Sequence, residues 1–387
     1  MSKQRRVAMM IDLGWHVVRH HHVFAGIHRY AREKGNWDYS ITPHADLLKG
    51  RRHGQRFDGI VARVTEPLAR QARKAGVPLV NVWLSSPVAG LPSVVHDAQA
   101  SGRLAAQHLL ARGFRRFGYL GAKRDRGAQL QLQGFREELA EAGHACSDCW
   151  VSGQFAATSE SWRRFQTTLH DWMEHWTPPM AVLTTFDLLA RYVAEACHQR
   201  GLKVPHDVAL VGSYNETVIC STPEPSLSSI EFRFDRIGYE AAKLLDRLMD
   251  GGSPPARPIR MPPVELVARQ SSDAFAVASP IVARALRFIA EHAHEDISVD
   301  TVAAHVMTTR RSLARYFQSS LRRTIAQTIC TMRLDRAKRE MSDDALPLKT
   351  VAARCGFRDV IQLCRVFQRV EGMTPSQYRA KRKAGQV

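Results

Sequence analysis

The chain has 387 residues, 44% hydrophobic and 24% charged, an ordinary globular composition with room for two or three domains. Its 55 Lys and Arg against 37 Asp and Glu give a formal charge of +18, which suits a polyanionic partner. No apolar run approaches the roughly twenty residues of a membrane span, and the basic start is followed by an apolar stretch broken at Asp12 with no small-residue cleavage site. Membrane and secreted classes are therefore set aside, and a cytoplasmic chain is expected.

Through the first two thirds, short apolar runs alternate with amphipathic helical patterns. Val7 to Ile11, Gly59 to Val64, Leu79 to Leu84, Phe117 to Leu120, Ala181 to Thr184 and Val208 to Val211 read as buried strands. Helical spacing falls between them at Val23 to Glu33, Pro67 to Lys74, Ala98 to Leu110, Leu130 to Glu141, Leu188 to Gln199 and Arg236 to Met249. This alternation predicts parallel sheets with helices on both faces. Residues 1–270 are too many for one such sheet, so the expected fold is an α/β two-lobed domain with a cleft at the carboxyl ends of its strands.

Strand ends carry Asp12 with Trp15 nearby, Asp97, Asp187, and Asn215 with Glu216. A polyol ligand needs planar polar groups that donate and accept in fixed directions, plus an aromatic face against its C–H surface, and these residue types supply both. Asp187, just past the strand at Ala181 to Thr184, is the first choice. Helix capping and surface hydrogen bonding are the plainer roles for the same residues. Cys146 and Cys149 have CxxC spacing without a second pair, which fits reduced thiols in a strand connection better than zinc. His20-His21-His22 reads as a helix start.

A short polar, Ala-rich link over 271–280 leads to residues 281–387, where the sequence repeats itself. Val299, Val302, Ala303 and Val306 form an i, i+3, i+4, i+7 stripe, and Leu348, Val351, Ala352 and Cys355 restate it about fifty residues later. A break follows each, at Met307-Thr308 and at Gly356, then a second helix anchored by Leu313 and Phe317 or by Leu363 and Phe367. Two helix-turn-helix units are expected, joined by one long helix through Ile325, Ile329, Met332, Leu334, Ala337 and Met341. With the anchors inward, Arg311, Arg315, Ile361, Gln362 and Arg365 face out as candidates for reading base edges in double-stranded DNA. Arg310, Arg322, Arg323, Arg358, Arg369 and the run from Arg379 to Lys383 are placed against phosphates.

Gly356, Phe357, Arg365, Phe367, Gly372, Thr374, Pro375, Tyr378 and Arg379 carry a resemblance to the AraC/XylS-type DNA-binding domain over about Ser298 to Arg379, with Leu363 where that family has an aromatic residue. The stretches 57–64, 77–84, 108–121, 204–212 and 225–251 resemble the LacI/GalR-like sugar-sensing domains, which share the periplasmic-binding-protein fold. No helix-turn-helix of the LacI type precedes Val7, and the domain order is similar to that of the xylose operon regulator family.

That resemblance implies a sugar effector, xylose or a related one, bound between the lobes, and activation of a catabolic operon by a homodimer, with RNA polymerase a further partner. It adds His21 and Gln131, which stand where such chains carry Arg, while Ser213-Tyr214-Asn215-Glu216 replaces a DND-like turn. A repressor of the same architecture, a transport-type binding protein and a sugar-modifying enzyme using Asp187 and Glu216 are the alternatives. With no P-loop, nucleophile elbow, metal-ligand cluster or GxGxxG after a strand, no enzyme and no cofactor are expected.

Overall fold

The computed structural model describes residues 4–13, 18–41, 57–222, 224–273, 279–321, 323–341 and 346–383. Trp15 and Arg322 lie outside them, as do the side chains of residues 381–383. The chain opens in a first lobe with β1 (Arg5–Met10), α1 (Val18–Lys34), β2 (Trp37–Ile41), β3 (Gly59–Ala62), α2 (Glu66–Ala75) and β4 (Leu79–Asn81). These strands form a parallel sheet in the order β2-β1-β3-β4. Through β5 (Val94–His96) the chain passes into a second lobe of α3 (Ala98–Ala111), β6 (Phe117–Ala122), α4 (Arg126–Glu141), β7 (Cys146–Val151), α5 (Ser159–Glu174), β8 (Met180–Thr184), α6 (Asp187–Gln199), β9 (Val208–Ser213), α7 (Thr217–Ser221) and β10 (Ser228–Glu231). It returns through α8 (Phe234–Met249), which packs on α1, and β11 (Ile259–Met261), which pairs in parallel with β5. It then crosses again to β12 (Glu265–Val267), antiparallel to β10 at the edge of a six-stranded sheet ordered β12-β10-β9-β8-β6-β7.

The burial of each strand follows from its place in its sheet. β3, β6, β8 and β9 are buried along their whole length because helices cover both faces, so each reads as an unbroken apolar run. The edge strands β2 and β7 are covered less completely and carry Asp38, Ser40, Ser147 and Asp148 among their apolar positions. Cys146 and Cys149 are thus free thiols within a strand.

Each lobe is closed by two helices that approach to backbone contact at glycine. A Cβ on Gly26 of α1 would lie 1.8 Å from the Asp235 carbonyl oxygen, and one on Gly238 of α8 would lie 2.0 Å from that of Val23. In the second lobe Gly102 of α3 and Gly134 of α4 meet Gln131 and Gln99 in the same way, both at 2.0 Å. Asp246 of α8, buried, accepts from Tyr30 (2.8 Å) and Trp37 (3.3 Å) and pairs with Lys34 (2.8 Å), fastening the first lobe around α8.

The sensor ends with Ser271 and Ser272 fully buried, Ser271 accepting from Ser228 N and donating to the Leu210 carbonyl, Ser272 bonded to Ser228 and His108. After Ser279, which caps α9 (Pro280–His292), come α10 (Val299–His305), α11 (Arg310–Leu321), α12 (Ile325–Glu340), α13 (Leu348–Arg354), α14 (Val360–Glu371) and α15 (Pro375–Lys383). They divide into two apolar clusters, one around Leu286, Ile289, Leu313 and Phe317, the other around Leu334, Met341, Leu363 and Phe367. α12 contributes to both, with Ile325 and Ile329 in the first and Leu334 and Ala337 in the second.

Gly26→Ala is expected to push α1 off α8 and destabilise the sensor by about 1–3 kcal/mol, the usual cost of overpacking. Gly153→Ala, where nothing lies within 4 Å of the added methyl group, is the control. Calorimetric melting of the two variants checks this, with a clear loss expected only for the first.

Candidate functional site

Two sites emerge, one between the lobes and one on the helical domain. Parallel strands deliver their following loops to one end of a sheet. Ile11 after β1, Arg63 after β3, Val82 to Ser85 after β4, His96 at the end of β5, Asp125 and Gly127 after β6, and Tyr214 after β9 therefore converge. Arg19, His20 and Val23 of α1 and Phe234 of α8 complete a cleft of about 540 Å³, its open mouth included.

The polar groups of this cleft are held in fixed attitudes. The Arg19 guanidinium lies 4.6 Å from the centre of the Tyr214 ring, and that of Arg63 lies 4.6 Å from the Trp83 ring, stacking that restricts both flexible side chains. Burial pushes Arg63 down to about 10, and the charge of Arg19 acts in the same direction against the opposing influence of Asp12 and Asp125. Burial also pushes His20 down to about 4 and His96 down to about 3, with Arg19 contributing to both, so the two imidazoles are neutral near pH 7. His20 donates from Nδ1 to the Asp12 carbonyl (2.9 Å). His96 sits in a cage of Tyr214, Phe232 and Phe234. Asp125 caps α4 through Ala128 N (3.0 Å) and accepts from Ser85 (3.3 Å), joining the two lobes across the cleft.

Tyr214 reaches the cleft from a backbone turn in which it has φ 90° and Asn215 φ 51°, both in the left-handed region that ordinary side chains avoid. Asp187, 1% exposed at the start of α6, holds that turn. One carboxylate oxygen accepts from Glu216 N (2.8 Å), and the other accepts from the Ser229 hydroxyl, which itself accepts from Asn215 N (3.0 Å). Asn215 is fixed further between Arg269 (2.7 Å) and Glu231 (3.2 Å).

On the helical domain the duplication extends to single backbone positions. Met307 and Gly356 end their helices in the same left-handed conformation, φ 54° and 77°, and the next amide reaches back five residues in each case, Thr308 to Ala303 and Phe357 to Ala352. Thr309 caps α11 through Ser312 N, and Asp359 caps α14 through Gln362 N. Thr324 with Gln327 and Thr374 with Gln377 then form the same reciprocal cap on α12 and on α15.

Leu313, Phe317, Leu363 and Phe367 are fully buried, which turns Arg311 and Arg315 of α11, and Ile361 and Arg365 of α14, to the surface. Ile361 is 69% exposed, unusual for a large aliphatic side chain. Gln362 is half-buried, and its side-chain oxygen accepts from Arg358 N (2.7 Å) in the turn before α14, so its amide is partly engaged in capping its own helix. α12 is pinned to the first unit where Arg333 donates to the carbonyls of Ala293 (2.7 Å) and Glu295 (2.8 Å), and to the second by Lys338 with Glu371 (2.7 Å).

Comparison with known proteins places both halves. Residues 106–272 match a periplasmic binding protein-like domain and residues 302–381 a helix-turn-helix domain. The chain is 26% identical over 387 residues to the xylose operon regulatory protein of Escherichia coli (strain K12), covering 98% of this chain and 97% of that one. It is 28% identical over 330 residues to the protein of that name in Haemophilus influenzae (84% of this chain and 85% of that one). Among solved structures it resembles the xylose-binding transcription activator XylR, with 25% identity, TM-score 0.60 and 98% coverage of each chain. Over nearly its whole length the chain is similar to XylR-like transcription regulators.

In this XylR-like chain the expected effector residues fall into different places. Gln131 is buried within the second lobe, where it donates to Ser101 (3.0 Å) and Ser213 (2.9 Å) and accepts from Tyr119 (3.2 Å). Asp187 and Asn215 shape the turn that presents Tyr214, and neither lines the cleft. Burial raises the Glu216 carboxyl, against the charge of Arg19. Asp12 borders the cleft through its carbonyl and its influence on Arg63, while His21 is exposed and donates to the Leu13 carbonyl (3.0 Å). Trp15 lies outside the described residues. Arg19, Arg63, Trp83 and His96 escaped a search centred on carboxylates and amides, Asp125 was passed over, and Tyr214 was named only as part of its turn. Reading the loop after every strand would have found most of them. Among the described residues no helix is long and apolar enough to cross a membrane.

Burial raises Asp187 from its ordinary 3.8 to about 7, the bonds from Ser229 and Glu216 N opposing it. The folded chain thus keeps this proton up to about pH 7, whereas the unfolded chain releases it near 3.8. The associated stability is complete below pH 3.8 and is lost as pH rises through 7. Asp187→Asn is expected to flatten the decline in stability between about pH 4 and 7, by at most about 4 kcal/mol. Urea unfolding of both proteins at pH 5 and 8 checks it.

Proposed function

We propose that the chain is a sugar-responsive, sequence-specific transcription activator, acting in the cytoplasm as a homodimer on double-stranded DNA and working with RNA polymerase. The observation that carries this reading is the pairing of an inter-lobe cleft with two recognition helices braced on one rigid spine. Activation, rather than repression, is favoured by the XylR structure being that of a transcription activator.

Three side-by-side chain crossings, after β5, before α8 and after β11, connect the lobes. Such connections permit one lobe to swing on the other, and an effector that contacts both lobes favours the closed arrangement by its differential affinity. In a dimer, that swing alters the separation of the two DNA-binding domains. Within each domain, α11 and α14 are to enter successive major grooves about 34 Å apart on one face of the duplex.

Arg311, Arg315, Ile361, Gln362 and Arg365 are proposed to read base edges, with Arg369 one turn beyond Arg365 against the phosphates. Arg315→Ala or Arg365→Ala is expected to weaken the cognate site by about 1–3 kcal/mol and relax the preference at particular bases. Arg369→Ala is expected to weaken cognate and random DNA equally and to reduce the salt dependence of binding. Equal losses on both DNAs for all three variants would remove the base-reading assignment.

Sensing and assembly are tested together on the full chain. A panel of sugars is expected to raise the melting temperature for one or a few members, and the same members are expected to change operator binding or transcription in vitro, with sedimentation reporting a dimer. A panel that shifts nothing counts against the sugar-sensing reading, and a monomer that still responds counts against the dimer.

A further inference from the structure

The two helix-turn-helix units share anchors and caps, yet they differ at one outward position of the second helix. Counted from the buried anchors Leu313 and Phe317 in one unit and Leu363 and Phe367 in the other, Arg315 matches Arg365 and Arg311 matches Ile361. Arg311 and Ile361 are each the second residue of their helix, two past the capping residues Thr309 and Asp359, and both are exposed. A helix laid in the major groove brings its N-terminal residues to the base edges. The duplication therefore offers a guanidinium and an aliphatic side chain to equivalent places on DNA.

Ile361 adds nothing to the core of its own unit. Val360, Leu363, Val366 and Phe367 pack into the second apolar cluster, whereas Ile361 stands 69% exposed. Val370, the other large exposed aliphatic side chain of α14, lies about two and a half turns further on and so points the opposite way. The surroundings of Ile361 are cationic. Arg358 precedes it, Arg365 follows one turn on and Arg369 a turn beyond that, all exposed, while the Asp359 carboxylate is engaged by Gln362 N (2.7 Å) and Arg358 (3.3 Å). An apolar tip framed by cations suits a polyanion that itself carries an apolar group. On the base edges of the major groove that group is the thymine methyl, whereas guanine presents acceptors that match Arg. A β-branched side chain has few rotamers, so the methyl groups of Ile361 stay where the helix puts them.

Resting on the reading of α11 and α14 as the helices that enter the major groove, we propose that Ile361 reads the methyl group of a thymine and that the two half-sites differ at this place, with guanine facing Arg311 and thymine facing Ile361. One domain then binds its site in a single orientation, because reversal would set Arg311 on the thymine and Ile361 on the guanine.

The test selects bound duplexes from a random pool, with the sugar panel present, using the full chain and its Ile361→Arg variant. Each thymine of the wild-type site is then replaced by uracil, which removes the methyl group and nothing else. One replacement is expected to weaken wild-type binding about fourfold, the worth of a single buried methyl group, and to leave the binding of Ile361→Ala unchanged. Ile361→Arg is expected to select guanine at that base pair, and Arg311→Ala to relax the preference at a different one. The melting temperature of each variant reports that it is folded.

If no thymine responds to loss of its methyl group, if Ile361→Ala keeps the full response, or if Ile361→Arg selects the wild-type base at every position, the thymine-methyl proposal is overturned while sequence-specific binding stands. If no site emerges from the pool, the base-reading assignment falls and the proposal falls with it.

Discussion

Parallel pairing is the constraint from which the rest of this structure follows. Strands that run the same way must be joined by crossovers, and every crossover begins at the same end of its sheet. Two such sheets facing each other bring the residues after β1, β3, β4, β6 and β9 into one cleft, although they are spread from Ile11 to Tyr214 in the chain. The glycine contacts at Gly26, Gly102, Gly134 and Gly238 serve that arrangement. They let α1 lie on α8 and α3 on α4 closely enough for Arg19, His20 and Gly127 to reach the same space.

The interior polar groups divide by role. Asp187, Gln131, Ser229, Asn215 and Arg269 form bonded sets within the second lobe, and their effect on the cleft passes through the backbone angles of Tyr214. Holding a tyrosine and an asparagine together in the left-handed region costs of order 1–3 kcal/mol each. That conformation persists because amide, carboxylate and guanidinium partners fix it on both sides. Arg19 and Arg63, which line the cleft, are secured by stacking on Tyr214 and Trp83.

The central strands and the helical duplication were legible in the sequence because burial on both faces, or along one helical stripe, writes itself as apolar periodicity. β7 and β2 were not, since edge positions admit Asp and Ser and break the run. The three-residue strands β5, β11 and β12 are too short to carry a period, yet they make the lobe crossings. The outward-facing side chains of α11 and α14 followed directly from the anchors Leu313, Phe317, Leu363 and Phe367. The cleft was harder to read. Residue chemistry singled out Asp187 and the family resemblance Gln131, but such polar groups also serve for internal bonding, and only the fold tells the two uses apart. Arg19 and Arg63 look like surface cations in the sequence and acquire a role through the aromatic rings beneath them.

The three crossings have a mechanical meaning beyond joining the lobes. Side-by-side connections bend easily about one shared axis, whereas sliding or twisting the lobes would strain all three at once. A swing about that axis is the motion that three such connections resist least. Occupancy and output can then part company. A guest small enough for the lobes to meet would let them close, and a bulkier one would wedge them apart and fill the seat without closure.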